Sequence, residues 1–205
     1  MSLSSRFFMA LLGLGLLAGP IIGLAADSNL ISSNRWIASG PASAIHDTIL
    51  RLSQNDLPCS SSSNCSTASA LFRQEANVKG NDGKYALLIS YTRAEKLRTN
   101  TISGLPYVYG YFLDKNGKIL TYLQGQSMRH TGTTDNTWVV SYGIFKIPSG
   151  TENTRFFLKQ ASRKGTTSDG RAADFYKPGL YLFSSEQDAK TMVESYRNNL
   201  SSVPK

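Results

Sequence analysis

From about residue 68 to residue 183 the apolar side chains recur at every second position, the period of a strand with one face buried. Between Ser69 and Val78, Ala70, Phe72, Ala76 and Val78 share one side. Asn81-Asp82-Gly83 then turns the chain into Tyr85–Tyr91, a run apolar enough to be buried on both faces. Tyr107–Leu113 is the next predicted strand. Asp114-Lys115-Asn116-Gly117 reads as a hairpin turn, with glycine where a positive φ is wanted, and Ile119–Leu123 returns from it. Trp138–Ile147 follows and stops at Pro148-Ser149-Gly150; Thr154–Gln160 and Gly179–Phe183 complete the set. Short strands divided by turn residues, without alternating helices, predict an all-β fold: a two-sheet antiparallel jelly-roll sandwich.

The period changes near the C-terminus. Ser184 or Ser185 is a capping residue with Gln187 and Asp188 at matching capping-box positions. Ala189, Met192, Val193, Tyr196 and Leu200 recur at helical spacing, opposite Lys190, Glu194 and Arg197. Mixed charge on that polar face predicts an amphipathic helix docked on the sandwich rather than one lying on a membrane. Residues 39–56 show no clean period and read as mostly extended.

The first segment lies outside this pattern. Arg6 precedes an apolar run from Phe7 to Leu17, a Gly19-Pro20 break, and small residues at Gly23, Ala25 and Ala26. That order predicts a secretory signal peptide over residues 1–26, cleaved after Ala25 or Ala26; an uncleaved anchor is the rival reading. The expected organisation is a signal peptide at 1–26, a sandwich at 27–183, and a helix with its tail at 184–205. No later run is long enough to span a bilayer, so the product is expected to be secreted or periplasmic.

Composition agrees with a folded core. The 205 residues are 40% hydrophobic and 18% charged, with 22 Lys and Arg against 14 Asp and Glu for a net charge of +8. Two histidines and two cysteines leave little material for a transition-metal site. Cys59 and Cys65 bracket Ser60, Ser61, Ser62, Ser63 and Asn64, and in an oxidising compartment this pair is expected to close a disulfide. The spacing is not that of a Cys-x-x-Cys redox motif.

Several marks stand in order along the chain: Asn34-Arg35-Trp36 with Ser39-Gly40; Ala70-Leu71-Phe72-Arg73-Gln74 before Tyr85–Ser90; the hairpin Phe112–Leu120; Thr137-Trp138 with Phe145–Thr151; and Ala172-Ala173-Asp174-Phe175 with Leu180. In these the chain, over residues 29–183, resembles a jelly-roll carbohydrate-binding module of the family 4 and family 9 type, within the galactose-binding-like sandwiches. The resemblance implies that fold and a polysaccharide or glycan partner. It also implies a structural calcium, held partly by an acid after the closing phenylalanine. Here Tyr176 and Lys177 follow Phe175 and Asp174 lies one position early, so no cofactor is expected.

The candidate ligand residues start from the alternation in Tyr107–Phe112. Tyr107, Tyr109 and Tyr111 share one strand face, and a flat aromatic strip there would stack on the C–H faces of sugars while its hydroxyls hydrogen-bond. The other reading makes it an ordinary core face. Tyr122, Gln124 and Gln126 extend the strip from the returning strand. Arg129, with His130 and Asp135, sits in a polar loop suited to gripping a ligand; Trp138 and Trp36 are further platforms. Arg155, Lys159, Arg163, Lys164, Arg171 and Lys177, with Lys146 just before, predict a basic patch for an acidic polymer or cell envelope.

No catalytic residue is expected. No serine stands in a Gly-x-Ser-x-Gly setting, His46-Asp47 and His130 with Asp135 are the only histidine–acid neighbours, and most acids fall in turns or the last helix. Nucleic acid is not an expected partner, since the chain carries no such motif. The leading expectation is an exported, non-catalytic glycan-binding protein. An envelope or matrix protein-interaction module comes second and a small secreted hydrolase third.

Overall fold

A computed structural model of the chain describes residues 28–32, 35–39, 43–46, 49–53, 70–95, 106–125, 136–160 and 172–204. The predicted signal peptide and the Cys59–Cys65 bridge lie outside the described residues. Among these residues the elements run β1 (Ile37–Ser39), β2 (Ser43–His46), β3 (Ile49–Ser53), β4 (Ala70–Asn77), β5 (Tyr85–Glu95), β6 (Pro106–Leu113), β7 (Ile119–Gln124), β8 (Val139–Lys146), β9 (Asn153–Gln160), β10 (Ala172–Phe183) and α1 (Glu186–Asn198), with a short 3-10 turn at Leu200–Ser202.

They form two five-stranded antiparallel sheets, β1-β4-β9-β6-β7 and β2-β3-β10-β5-β8. The chain crosses from one sheet to the other repeatedly, which gives the predicted jelly-roll sandwich. Its core is made by the inward residues of both sheets: Phe72, Val108, Phe112, Leu123, Phe156 and Leu158 from the first, and Leu52, Ala86, Leu88, Ala173, Phe175 and Leu180 from the second. Strand β6 runs so close to its surroundings at Gly110 that a Cβ there would lie 2.7 Å from the Arg155 carbonyl oxygen. The β6–β7 hairpin turns at Asp114–Gly117 as predicted: Asp114 Oδ1 accepts from the Asn116 and Lys118 amides, and Gly117 has φ +76°.

The strands that the sequence pattern predicts are all present, with two extended: β5 runs on past Tyr91 to Glu95, and β10 starts earlier. Strand β10 begins at Ala172 rather than Gly179, because a register shift between Tyr176 and Gly179 interrupts its alternation. Before the shift Ala173 and Phe175 enter the core; after it Leu180 and Leu182 do. The bulge exchanges odd for even, so no single period-two pattern covers both halves.

The second sheet is buried on its far side as well. There Leu87, Ile89 and Phe183 meet Ala189 and Val193 of α1, with Met192 and Tyr196 packed beside them. Ser185 caps the helix, its hydroxyl accepting from the Asp188 amide at 3.1 Å and donating to the Asp188 carboxylate at 2.6 Å. Residues 28–32 are strapped to the sandwich by side-chain amides. Asn29 Oδ1 accepts from the Leu180 amide at 3.0 Å, and Gln74 exchanges hydrogen bonds with the Ser32 backbone in both directions. No helix among the described residues is long and apolar enough to cross a membrane.

Candidate functional site: a tyrosine face on the open sheet

Strand β6 lies inside the first sheet, between β9 and β7. Alternation therefore sends Val108, Gly110 and Phe112 to the core and Tyr107, Tyr109 and Tyr111 outward. The tyrosines are not a core face. Across the β6–β7 ladder Tyr111 stands opposite Tyr122 and Tyr109 opposite Gln124; across β6–β9, Tyr107 pairs with Lys159, Tyr109 with Phe157 and Tyr111 with Arg155. One strand further, on β4, Leu71, Arg73 and Glu75 continue the same face.

The rings form a connected cluster. Centroids are 6.1 Å apart for Tyr107–Tyr109, 5.1 Å for Tyr109–Tyr111 and 5.3 Å for Tyr111–Tyr122. Phe157 lies beside them on β9, 5.9 Å from Tyr109 and 5.2 Å from Tyr111. The three tyrosine pairs have interplanar angles of 73°, 81° and 84°, so each ring stands nearly edge-on to the next. This corrects the expectation of a flat strip: the surface is ridged, with ring faces and ring edges alternating. Tyr122, at the sheet edge, is 63% exposed.

Burial first, and then the hydrogen bond with Tyr111, pushes the Tyr109 phenol well above the usual tyrosine range. It stays a neutral hydroxyl at any physiological pH. Beside it the Lys159 ammonium lies 5.8 Å from the Tyr109 ring centroid. Arg155 is occupied by Glu75, Nε to Oε1 at 2.5 Å. The face thus offers apolar ring surface, hydroxyl donors and acceptors, an exposed amide at Gln124, and cations on one flank.

The structure brings together Tyr107, Tyr109, Tyr111, Tyr122 and Gln124. Gln126 and Arg129, with His130 and Asp135, lie outside the described residues. Trp138, expected as a further platform, stands apart from this face. It precedes β8 on the other sheet, is 9% exposed, and its indole N–H donates to the Pro204 carbonyl at 2.7 Å. Arg93 covers its ring, with Cζ 4.6 Å from the centroid. Trp36 packs on Phe72 and Phe156 at the core margin.

The predicted basic patch divides. Arg155 and Lys159 join the tyrosine face, whereas Lys146 and Lys177 sit on strands of the second sheet, and Arg163, Lys164 and Arg171 lie outside the described residues. Phe157 and Arg73 are members of the face that the sequence reading missed. The signal for Phe157 was the Phe156-Phe157 doublet, since neighbours in a strand cannot both face the core.

The implied calcium does not fit the residues present. Asp174 is 1% exposed and engaged by arginines, with Arg93 Nη2 at 2.8 Å and Arg51 Nη1 at 3.6 Å. Among the described residues no three acids, histidines or cysteines converge.

No family model matches the chain. No curated protein matches it either. Among solved structures it is similar to the enzymatically active domain of bacteriophage CBA120 tailspike protein 4, at 16% identity and a TM-score of 0.47 over 76% of this chain. The chain spans 21% of that protein's length. It is similar to the CBM22-1 xylan-binding domain from Paenibacillus barcinonensis Xyn10C, at 12% identity and a TM-score of 0.37, covering 79% of this chain and 95% of that one. A third likeness is to a structure described as explaining the promiscuous specificity of carbohydrate-binding modules from the β-sandwich superfamily. There the identity is 6% and the TM-score 0.38, over 71% of this chain and 56% of that one.

Proposed function

We propose that the chain is an exported, non-catalytic binding protein that holds a polysaccharide or glycan on the tyrosine face, in the manner of the family 4 and family 9 modules it resembles. The observation that carries this reading is the outward placement of Tyr107, Tyr109, Tyr111 and Tyr122 as one cluster. Sugar rings have apolar C–H faces and hydroxylated edges. A ridged aromatic surface edged by phenol hydroxyls and Gln124 meets both requirements without burying an unpaired polar group. Hydrolysis would require two carboxylates across a glycosidic bond, and Glu75 on this face is already held by Arg155.

A binding screen of neutral and acidic polysaccharides against Tyr111→Ala and Tyr122→Ala tests the reading. Each substitution is expected to weaken binding by about tenfold, the worth of one aromatic contact. Tyr122→Ala should leave the unfolding midpoint unchanged, because that side chain is mostly in solvent. Binding indifferent to both substitutions, or none from folded protein, rejects it. A protein partner on the same surface is the second reading, favoured by Ile37 and Leu120, apolar side chains that are 54% and 39% exposed at opposite edges of this sheet.

A further inference from the structure

The tyrosine face is electrically lopsided. Its β7 side carries Tyr122 and Gln124, whereas β9 and β4 carry Lys159, Arg155 and Arg73 against a single acid, Glu75. Glu75 is taken up by Arg155. Lys159 and Arg73 have no carboxylate partner among the described residues, although both stand within two strands of the Tyr109 ring. Adjacent strands are about 5 Å apart, so Lys159 flanks a ring seated on Tyr109 and Arg73 lies about 10 Å away, past Phe157.

We propose that the ligand of this face is an anionic saccharide, its carboxylate or sulfate group taken by Lys159 and Arg73 while its ring sits on the tyrosines. This rests on the carbohydrate reading above and specifies its chemical class. Lysine supplies a mobile point charge beside the aromatic track. Arginine supplies a planar fork matched to a carboxylate or sulfate. Lys159 is partly buried beside the Tyr109 ring, so an anion met there is less screened by solvent than one at exposed Arg73. A neutral polymer would leave both cations without a counter-charge.

The test uses polymer pairs that differ only in charge: polygalacturonate with its methyl ester, and dextran sulfate with dextran. Wild-type protein, Tyr111→Ala and the Lys159→Gln/Arg73→Gln double variant are titrated with each. The expected result is binding to one charged member at least tenfold tighter than to its neutral partner, that margin lost in the double variant and restored in part by Lys159→Arg. Which pair shows the margin distinguishes carboxylate from sulfate. Tyr111→Ala should weaken whatever binding occurs. Equal binding of charged and neutral members, sensitive to Tyr111→Ala, overturns the charge assignment and leaves the carbohydrate reading standing. Charged-only binding that survives the double variant also overturns it, because the cations would then lie elsewhere. Binding to neither member of either pair, by protein that binds a neutral polysaccharide in the screen above, overturns the charge assignment alone; no binding in that screen either, by folded protein, removes both readings.

Discussion

Two paired carboxylates show how context sets the worth of a residue. Asp174 is almost wholly buried and held by two guanidiniums, with Arg93 contributing Nε at 3.1 Å and Nη2 at 2.8 Å. Glu75 makes a close contact with Arg155, but half of its side chain is in solvent. Removing one partner of a buried pair leaves the other charge without compensation. Asp174→Asn is therefore expected to cost about 3 kcal/mol, read as a lowered urea midpoint. Glu75→Gln should cost less than about 1 kcal/mol. Equal losses would mean that Asp174 is better solvated than its position implies. At this scale much was unreadable in advance. Asp174 lay beside Phe175 where the resemblance suggested calcium, and only the strand register placed Arg51 and Arg93 on either side of it.

The docked helix joins the sandwich through tyrosines. Tyr91 and Tyr196 stack at 5.0 Å, the Tyr91 hydroxyl donates to the Tyr196 carbonyl at 2.9 Å, and the hydroxyls of Tyr181 and Tyr196 are 3.2 Å apart. Burial, and then the Tyr181 hydrogen bond, pushes the Tyr196 phenol far above its ordinary value of 10.0. Tyr91 and Tyr109 are raised as well, burial again first. Below pH ~10 these phenols are protonated whether the chain is folded or not, and the full stability is present. Above it the unfolded chain ionises first, so stability falls as pH climbs towards the folded values. Thermal unfolding from pH 8 to 12 should show this decline, with Tyr196→Phe less stable at pH 8 but declining less steeply. An unchanged slope would show that Tyr196 ionises equally in both states. The helix itself was legible from Ser185 and the stripe at Ala189, Met192, Val193 and Tyr196. The first half of β10 was not, because the bulge at Tyr176–Gly179, where Lys177 has φ +46°, reverses the alternation.

The two sheets have different outer faces. One is covered by α1, and the other carries the tyrosines. Alternation along β6 showed that Tyr107, Tyr109 and Tyr111 share a side, but both sides of that strand are apolar. Which one enters the core is decided by Phe156, Leu158 and Leu123 on the neighbouring strands, and by the sheet opposite. The setting of Trp138 depends on distant residues too: its indole is anchored on Pro204, far along the chain. If the two outer faces act independently, a change under the helix should affect stability and leave binding intact. Val193 is 2% exposed against Leu87, Ile89 and Phe183. Val193→Asp would force a carboxylate into that contact, at a cost on the order of 3–5 kcal/mol. Its unfolding temperature should drop sharply. At a temperature where the variant remains folded, its affinity for any polysaccharide bound by the wild type should match within about twofold, a difference near the limit of what distant sites usually show. Loss of binding together with the helix contact would place the ligand on the covered sheet, where Arg93, Trp138 and the tyrosines around Tyr196 would be the residues to test.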